Sequence, residues 1–187
     1  MTILPIRITG DPVLHQRATE VEEISPEIKD LIADMFDTMD KAPGVGLAAP
    51  QVGVGLRIFV FDYEIEDTRF RDVAMNPVLE IEPYEEKDPD EDLELEGCLS
   101  IPGERFPIRR SPTVTLKALD DEGQPYEIVA SGWLARIFQH EFDHLNGTLY
   151  VDRLIEPYRM EAREIIDENG WGAEGNSWLP GVDYLEP

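Results

Sequence analysis

Gln139-His140-Glu141-Phe142-Asp143-His144 decides how the rest of the chain is read. It lies within Ser131 to Asn146, a segment read as the central helix. Two His at i and i+4 share one face of a helix, one turn apart, so both imidazoles can reach a single metal ion. Glu141 is their neighbour, where a carboxylate can touch a water on that ion. The set suits metal-assisted hydrolysis: the metal acidifies the water and the carboxylate takes its proton. The plainer explanation is a solvated helix that happens to carry two His. It is the weaker one, because the chain has 3 His in 187 residues and two of them flank this Glu. The third, His15, has no partner at ligand spacing and reads as a surface or packing residue.

Composition sets outer limits. At 187 residues the chain most simply forms one domain, long enough to bury a core, and its apolar fraction of 42% is ordinary. The net charge of −24, from 40 acidic and 16 basic residues, repels nucleic acid and argues against a free DNA- or RNA-binding role. One cysteine allows no internal disulfide. The first ten residues carry no signal-peptide pattern, and no apolar run approaches membrane length. The expectation is a cytoplasmic chain with no membrane partner.

Upstream of the central helix, Thr113–Leu119 and Tyr126–Ala130 alternate as strands, joined through Asp120-Asp121-Glu122-Gly123 into a hairpin. Counting back from His140, Ile137 and Arg136 lie three and four residues earlier and Trp133 seven, so they should line the floor and mouth of a cleft. Gly147 stops the helix. Residues 148–155 read as a short strand, and Pro157–Glu168 as a last helix packing Met160, Ile165 and Ile166. From Gly170 the chain is rich in Gly, Trp and Pro and is expected to wrap the surface. Toward the N-terminus, Gly10-Asp11-Pro12 signals a turn. Ser25-Pro26 opens a helix whose buried face is Ile28, Leu31, Ile32, Met35, Phe36 and Met39, and Pro43-Gly44 ends it. Leu56–Phe61 reads as a strand and Met75–Ile81 as another, starting near Pro77. The acidic run from Glu82 to Glu94 reads as a solvated loop.

Gly44-Val45-Gly46-Leu47-Ala48-Ala49-Pro50-Gln51-Val52-Gly53 imitates a dinucleotide-binding fingerprint. That reading fails, because the fingerprint follows a strand and opens a helix, whereas this stretch follows a helix and contains Pro50. A tight loop of small residues whose backbone lines a cleft fits better, with Gln51 as its one long polar donor. A plain connecting loop fits the stretch equally well.

Two His need a third protein ligand and an open position for water. In metzincins a third His follows the second by six residues, and Tyr150 stands there. Other zincins use a downstream Glu, for which Glu156, Glu161 and Glu164 are candidates. Cys98, in Glu96-Gly97-Cys98-Leu99-Ser100, is the other candidate, although a lone Cys is more often a buried small hydrophobe.

Taken together, Gly44-Val45-Gly46-Leu47-Ala48-Ala49-Pro50-Gln51, Glu96-Gly97-Cys98-Leu99-Ser100 and His140-Glu141-Phe142-Asp143-His144 resemble, in order, the three signature motifs of peptide deformylases. The resemblance covers the chain to about Leu154. It implies an α+β fold, mixed or antiparallel strands packed around the helix that bears the two His. It implies a single catalytic domain, 1–187, with a core at 1–154 and a C-terminal helix and tail at 155–187, similar to the longer C-termini of some bacterial members. Cys98, His140 and His144 would hold the metal, Fe²⁺ in the family, replaceable by Zn²⁺, Ni²⁺ or Co²⁺. Glu141 would act as general base and then acid, and Gln51 with the Leu99 N–H would hold the oxyanion. Gly46, with Val45, would bind the substrate backbone. The reaction would remove formate from the N-formyl-methionine of nascent peptides, with the methionine side chain on the Ile137 side. Arg136 stands where many members have an apolar residue, which would favour acidic or polar groups after methionine. Phe106 replaces a small residue without evident consequence. Members with a basic C-terminal helix dock on the ribosome through it. Here residues 155–187 carry eight Asp or Glu against two Arg, which argues against that mode. Two rival readings remain from the residues alone. A zinc endopeptidase would leave Cys98 free and use a downstream Glu, and a binding protein would hold its metal in a closed four-ligand site.

Overall fold

Ile58-Phe59-Val60-Phe61 is apolar at every position because both of its faces are covered. The structure, a computed structural model, describes residues 2–85, 87–183 and 185. In chain order its elements are β1 (Ile6–Arg7), α1 (Pro26–Lys41), β2 (Gly46–Ala48), β3 (Ile58–Ile65), β4 (Thr68–Ile81), β5 (Leu95–Cys98) and β6 (Ile101–Pro107). There follow β7 (Thr113–Leu119), β8 (Pro125–Ser131), α2 (Gly132–Leu145), α3 (Tyr158–Glu168) and β9 (Ser177–Trp178). Short 3-10 helices occupy Pro12–His15, Ala49–Val52 and Tyr150–Arg153.

An antiparallel sheet in the order β2-β3-β4-β7-β8 forms the middle layer. Successive side chains of a strand face opposite sides. Ile58 and Val60 therefore join Ile32, Met35 and Met39 of α1 on one face. Phe59 and Phe61 join Leu134, Ile137 and Phe138 of α2 on the other. The Phe61 and Phe138 rings meet edge-on with centroids 4.9 Å apart. A third cluster lies under the β5-β6 hairpin, and there Phe106 packs 6.4 Å from the Tyr150 ring. The class is α+β, built around the helix that carries His140 and His144, as the sequence led us to expect.

Several boundaries differ from the sequence reading, each for a local reason. The strand expected from Pro77 begins at Thr68, because β4 passes Pro77 by a bulge: its register shifts between Met75 and Val78. Asn76 sits there at φ 48 with its side chain hydrogen-bonded to both Val21 backbone groups. The small-residue loop contains β2, paired with β3, and Pro50 lies in the first turn of a 3-10 helix, where its missing N–H costs nothing. Residues 148–155 do not form a strand. The Asp152 carboxylate accepts from the Leu149 N–H at 2.8 Å and winds Tyr150–Arg153 into a 3-10 turn. Met160 is 57% exposed, and α3 instead buries Ala162. The tail does more than wrap the surface: β9 pairs with β1, and Trp178 is fully buried. Glu86 of the acidic run, and Tyr184, Glu186 and Pro187 of the tail, lie outside the described residues.

Phe138 joins helix to sheet, and its neighbours Phe59 and Phe61 cannot collapse into the space it fills. Phe138→Ala should cost about 3–5 kcal/mol of unfolding free energy, read by denaturant titration. A cost under about 1 kcal/mol, far below that range, would show that the aromatic trio is not the joint described.

Candidate metal centre and active site

Helix α2 brings His140 and His144 together as the i, i+4 spacing requires, with their Nε2 atoms 3.2 Å apart. The end of β5 brings Cys98 to the same place, its Sγ 3.3 Å from His144 Nε2. All three are buried, and their ligand atoms lie within 4.8 Å of one another. A tetrahedral ion with bonds of about 2.0–2.1 Å to nitrogen and 2.3 Å to sulfur would space its ligand atoms by roughly 3.3–3.6 Å, so the trio fits one ion. The downstream alternatives Glu156, Glu161 and Glu164 are exposed and stand outside this group.

The electrostatics call for a cation. Burial alone would lower the pKa of both His; beside His140, Cys98 and Glu96 outweigh it and raise the pKa well above normal. At His144, burial and the charge on His140 push it well below. The cluster therefore favours one positive charge, which a bound metal ion would supply. Glu96 Oε1 lies 2.7 Å from His140 Nδ1, which leaves the Nε2 lone pair facing the other ligands.

Glu141 is 4% exposed, and its Oε2 has no hydrogen-bond partner. Burial pushes its pKa up to about 7, the range in which a carboxylate both takes and returns a proton near neutrality. Gly46 lies against it so closely that a Cβ there would fall inside the Glu141 carboxylate. The Gln51 amide is oriented by the Ala48 N–H, which donates to Oε1 at 2.8 Å. Its Nε2 thus faces Cys98 Sγ at 3.7 Å and Ser100 Oγ at 3.4 Å. Gly46, Gln51, Cys98, His140 and Glu141, with Val45, Leu99, Arg136 and Ile137, line one cleft of roughly 270 Å³. Val45 and Trp133, each 46% exposed, form part of its wall.

Arg136 lines the cleft, and its guanidinium is engaged within the protein. Its guanidinium donates to Glu96 at 3.1 Å, to the Ile108 carbonyl at 2.8 Å and to Glu94 at 3.3 Å. Its charge is satisfied within the protein, so it gives the rim no unpaired cation. Sequence reasoning missed the groups that hold the ligands. Arg110 grips Glu96 at 2.6 and 2.9 Å and reaches Asp143 at 2.8 Å. Tyr63 and Arg105 also line the cleft. The Arg109-Arg110 pair is visible in the sequence, but no period links it to a carboxylate on another element.

A thiol and two imidazoles converging beside an unpartnered buried carboxylate are the groups that a metal-dependent hydrolase needs. Comparison with known proteins narrows this. Residues 3–160 match the family model described as polypeptide deformylase. A peptide deformylase of Tropheryma whipplei (strain TW08/27) is 49% identical over 95% of this chain and 94% of its own length. One of Rhodococcus opacus (strain B4) is 48% identical over 97% of this chain and 95% of its own. Among solved structures, a peptide deformylase from Legionella pneumophila superposes with a TM-score of 0.77 at 43% identity, covering 90% of this chain and 96% of that one. One from Ehrlichia chaffeensis in complex with actinonin gives 0.79 at 37% identity, covering 90% and 98%. The chain belongs to the polypeptide deformylase family: it is a metal-dependent enzyme that deformylates nascent polypeptides.

Two substitutions separate ligand from base. His140→Ala should lose metal and turnover together. Glu141→Ala should keep metal and fold and lose turnover by about 10²–10⁴-fold, the usual worth of positioned acid–base help. Metal content and kcat on a formylated tripeptide are the measurements. Retention of more than roughly a tenth of wild-type kcat in Glu141→Ala, outside that range, would remove Glu141 from the role of base.

Proposed function

We propose that Cys98, His140 and His144 hold one divalent ion, natively Fe²⁺ and replaceable by Zn²⁺, Ni²⁺ or Co²⁺, for hydrolysis of the N-formyl amide of formyl-methionyl peptides. When bound, the ion supplies Lewis acidity, lowering the pKa of a water and polarising the formyl oxygen. The observation that carries the reading is the buried Glu141 oxygen without a partner, next to three convergent ligand groups. Glu141 takes the proton from the attacking water and returns it to the leaving amine. The Gln51 amide and the Leu99 N–H donate to the oxygen as negative charge builds on it. Donors of this kind are typically worth about 3–4 kcal/mol each. Val45 and Gly46, at the edge of β2, pair with the substrate backbone, and Ile137 faces the methionine side chain.

The endopeptidase alternative needs Cys98 free and a Glu ligand, which the exposed positions of Glu156, Glu161 and Glu164 do not favour. A closed structural site needs four ligands, and among the described residues the cluster offers three. The whole chain 1–187 acts as one catalytic domain in this reading, in the cytoplasm, where formylated chains emerge. No helix among the described residues is long and apolar enough to cross a membrane. Its partner is the nascent chain. A phosphate-rich ribosomal surface would repel the acidic 155–187 segment, so any ribosome contact uses another face.

Selectivity for the formyl group tests the substrate assignment. In this reading the acyl group lies beside Gly46 and Glu141, which are in contact, and an extra methyl there would be excluded. Formyl-Met-Ala-Ser should be hydrolysed at least about 10³-fold faster than acetyl-Met-Ala-Ser, more than one methyl in a yielding apolar pocket is worth. Comparable kcat/KM on the two would overturn the assignment.

A further inference from the structure

The C-terminal tail reaches the metal centre through one side chain. Trp178 is 1% exposed, and its indole N–H donates to the Leu99 carbonyl at 2.8 Å. That carbonyl belongs to the Leu99–Ser100 peptide, and the N–H of the same peptide group, on Ser100, donates to Cys98 Sγ at 3.5 Å. A peptide is a single resonance unit. A donor on its oxygen draws charge from its nitrogen and makes the N–H a stronger donor, as hydrogen bonds in a chain polarise one another. Indole, peptide and sulfur thus form one relay, and the tail is its outer end.

The rest of the local structure holds that relay in place. The Ser100 carbonyl accepts from the Thr9 N–H at 3.0 Å. Ile6 pairs with Trp178 across β1 and β9, and the Ile8 N–H donates to the Asn176 carbonyl at 3.0 Å. The tail backbone at Trp171–Ala173 crosses Gly10 where any Cβ would collide. Trp178 also packs in the apolar core. A phenylalanine in place of Trp178 would cover most of the same surface, but only an indole supplies the N–H.

We propose that Trp178 is a positioning residue for the metal centre: through the Leu99–Ser100 peptide it strengthens the hydrogen bond on the Cys98 sulfur and so limits how much charge that sulfur gives the metal. The proposal rests on the assignment of Cys98 as a ligand. A sulfur that gives up less charge leaves the ion a stronger Lewis acid, so the tail favours turnover without touching substrate.

The test uses the full chain loaded with Co²⁺, whose thiolate charge-transfer absorption reports directly on sulfur. In Trp178→Phe this band should move to longer wavelength, and kcat should fall about tenfold, the low end for groups that orient metal ligands, with KM little changed. Trp171→Phe, an aromatic change in the same tail, should leave the band where it is. An unmoved band in Trp178→Phe, or an equal shift in Trp171→Phe, would overturn the proposal. Should Trp178→Phe fail to fold, the wild type loaded with a spin-active cadmium isotope decides. The Ser100 amide proton should then show scalar coupling to cadmium through the sulfur, and no coupling would overturn the relay. A wild-type Co²⁺ protein with no thiolate band would overturn the Cys98 ligand assignment itself, and the proposal with it.

Discussion

The Glu96 carboxylate is taken out of water and surrounded by Arg110, Arg136 and His140. Removing an ion from water costs several kcal/mol, and only well-placed partners offset that. Burial alone would raise the Glu96 pKa; Arg110 and His140 outweigh it and hold the carboxyl well below its usual range. Glu96 therefore stays ionised, and its position fixes its partners. It lies on β5 two residues before Cys98, and His140 lies on α2. Arg110 comes from the connection between β6 and β7 and continues to Asp143, which also accepts from Arg153. The carboxylate thereby sets the distance between the sulfur and the imidazoles. Losing Arg110 would weaken the compensation of both Glu96 and Asp143 beside the ligands.

The same residue type has a different fate at three neighbouring points. Glu96 is kept charged by the Arg110 guanidinium and by His140. Glu94, nearer the rim, is shared between Arg109 and Arg136. Glu141 is as buried as Glu96 but lacks a comparable partner, so its carboxyl titrates near 7. Surroundings, rather than residue identity, divide these carboxylates into one held ionised and one whose pKa is raised. The strongly acidic surface contributes little to that division, since water and salt screen it.

Periodicity made part of this legible. Helix α1, helix α2 with its paired His, and the β7-β8 hairpin each carry a repeat that matches their geometry, and the structure has them within a residue or two. The β3-β4 hairpin was harder, because its turn uses Glu66 at φ 55 without the Asn or Gly that usually marks such turns. The β5-β6 hairpin is short, interrupted by Gly and Pro, and bulged at Cys98, so no alternation announces it. Residues alone left Cys98 and three downstream Glu open as the third ligand; resemblance chose Cys98, and the geometry groups it with the two His. Nothing local could have revealed Trp178, which meets Leu99 across 79 residues of chain from a two-residue strand. Buried ion pairs are illegible for the same reason: each joins residues on different elements.

Gly46 connects the fold to the wall of the cleft. It belongs to β2, and β2 is zipped to β3, with Gly46 opposite Phe61 and Ala48 opposite Phe59. Phe61 packs edge-on against Phe138, which lies on the helix that carries Glu141 three residues later. The cleft wall and the carboxylate are thus tied by two routes, directly where Gly46 meets Glu141 and through the aromatic core behind them. A wall attached only through a loop could retreat to admit a larger acyl group. This one cannot move away from Glu141 without unpairing β2 or parting Phe61 from Phe138, and close-packed interiors resist such shifts. The position of this wall is therefore a property of the core, and the residues that fix it include Phe61 and Phe138, which do not line the cleft.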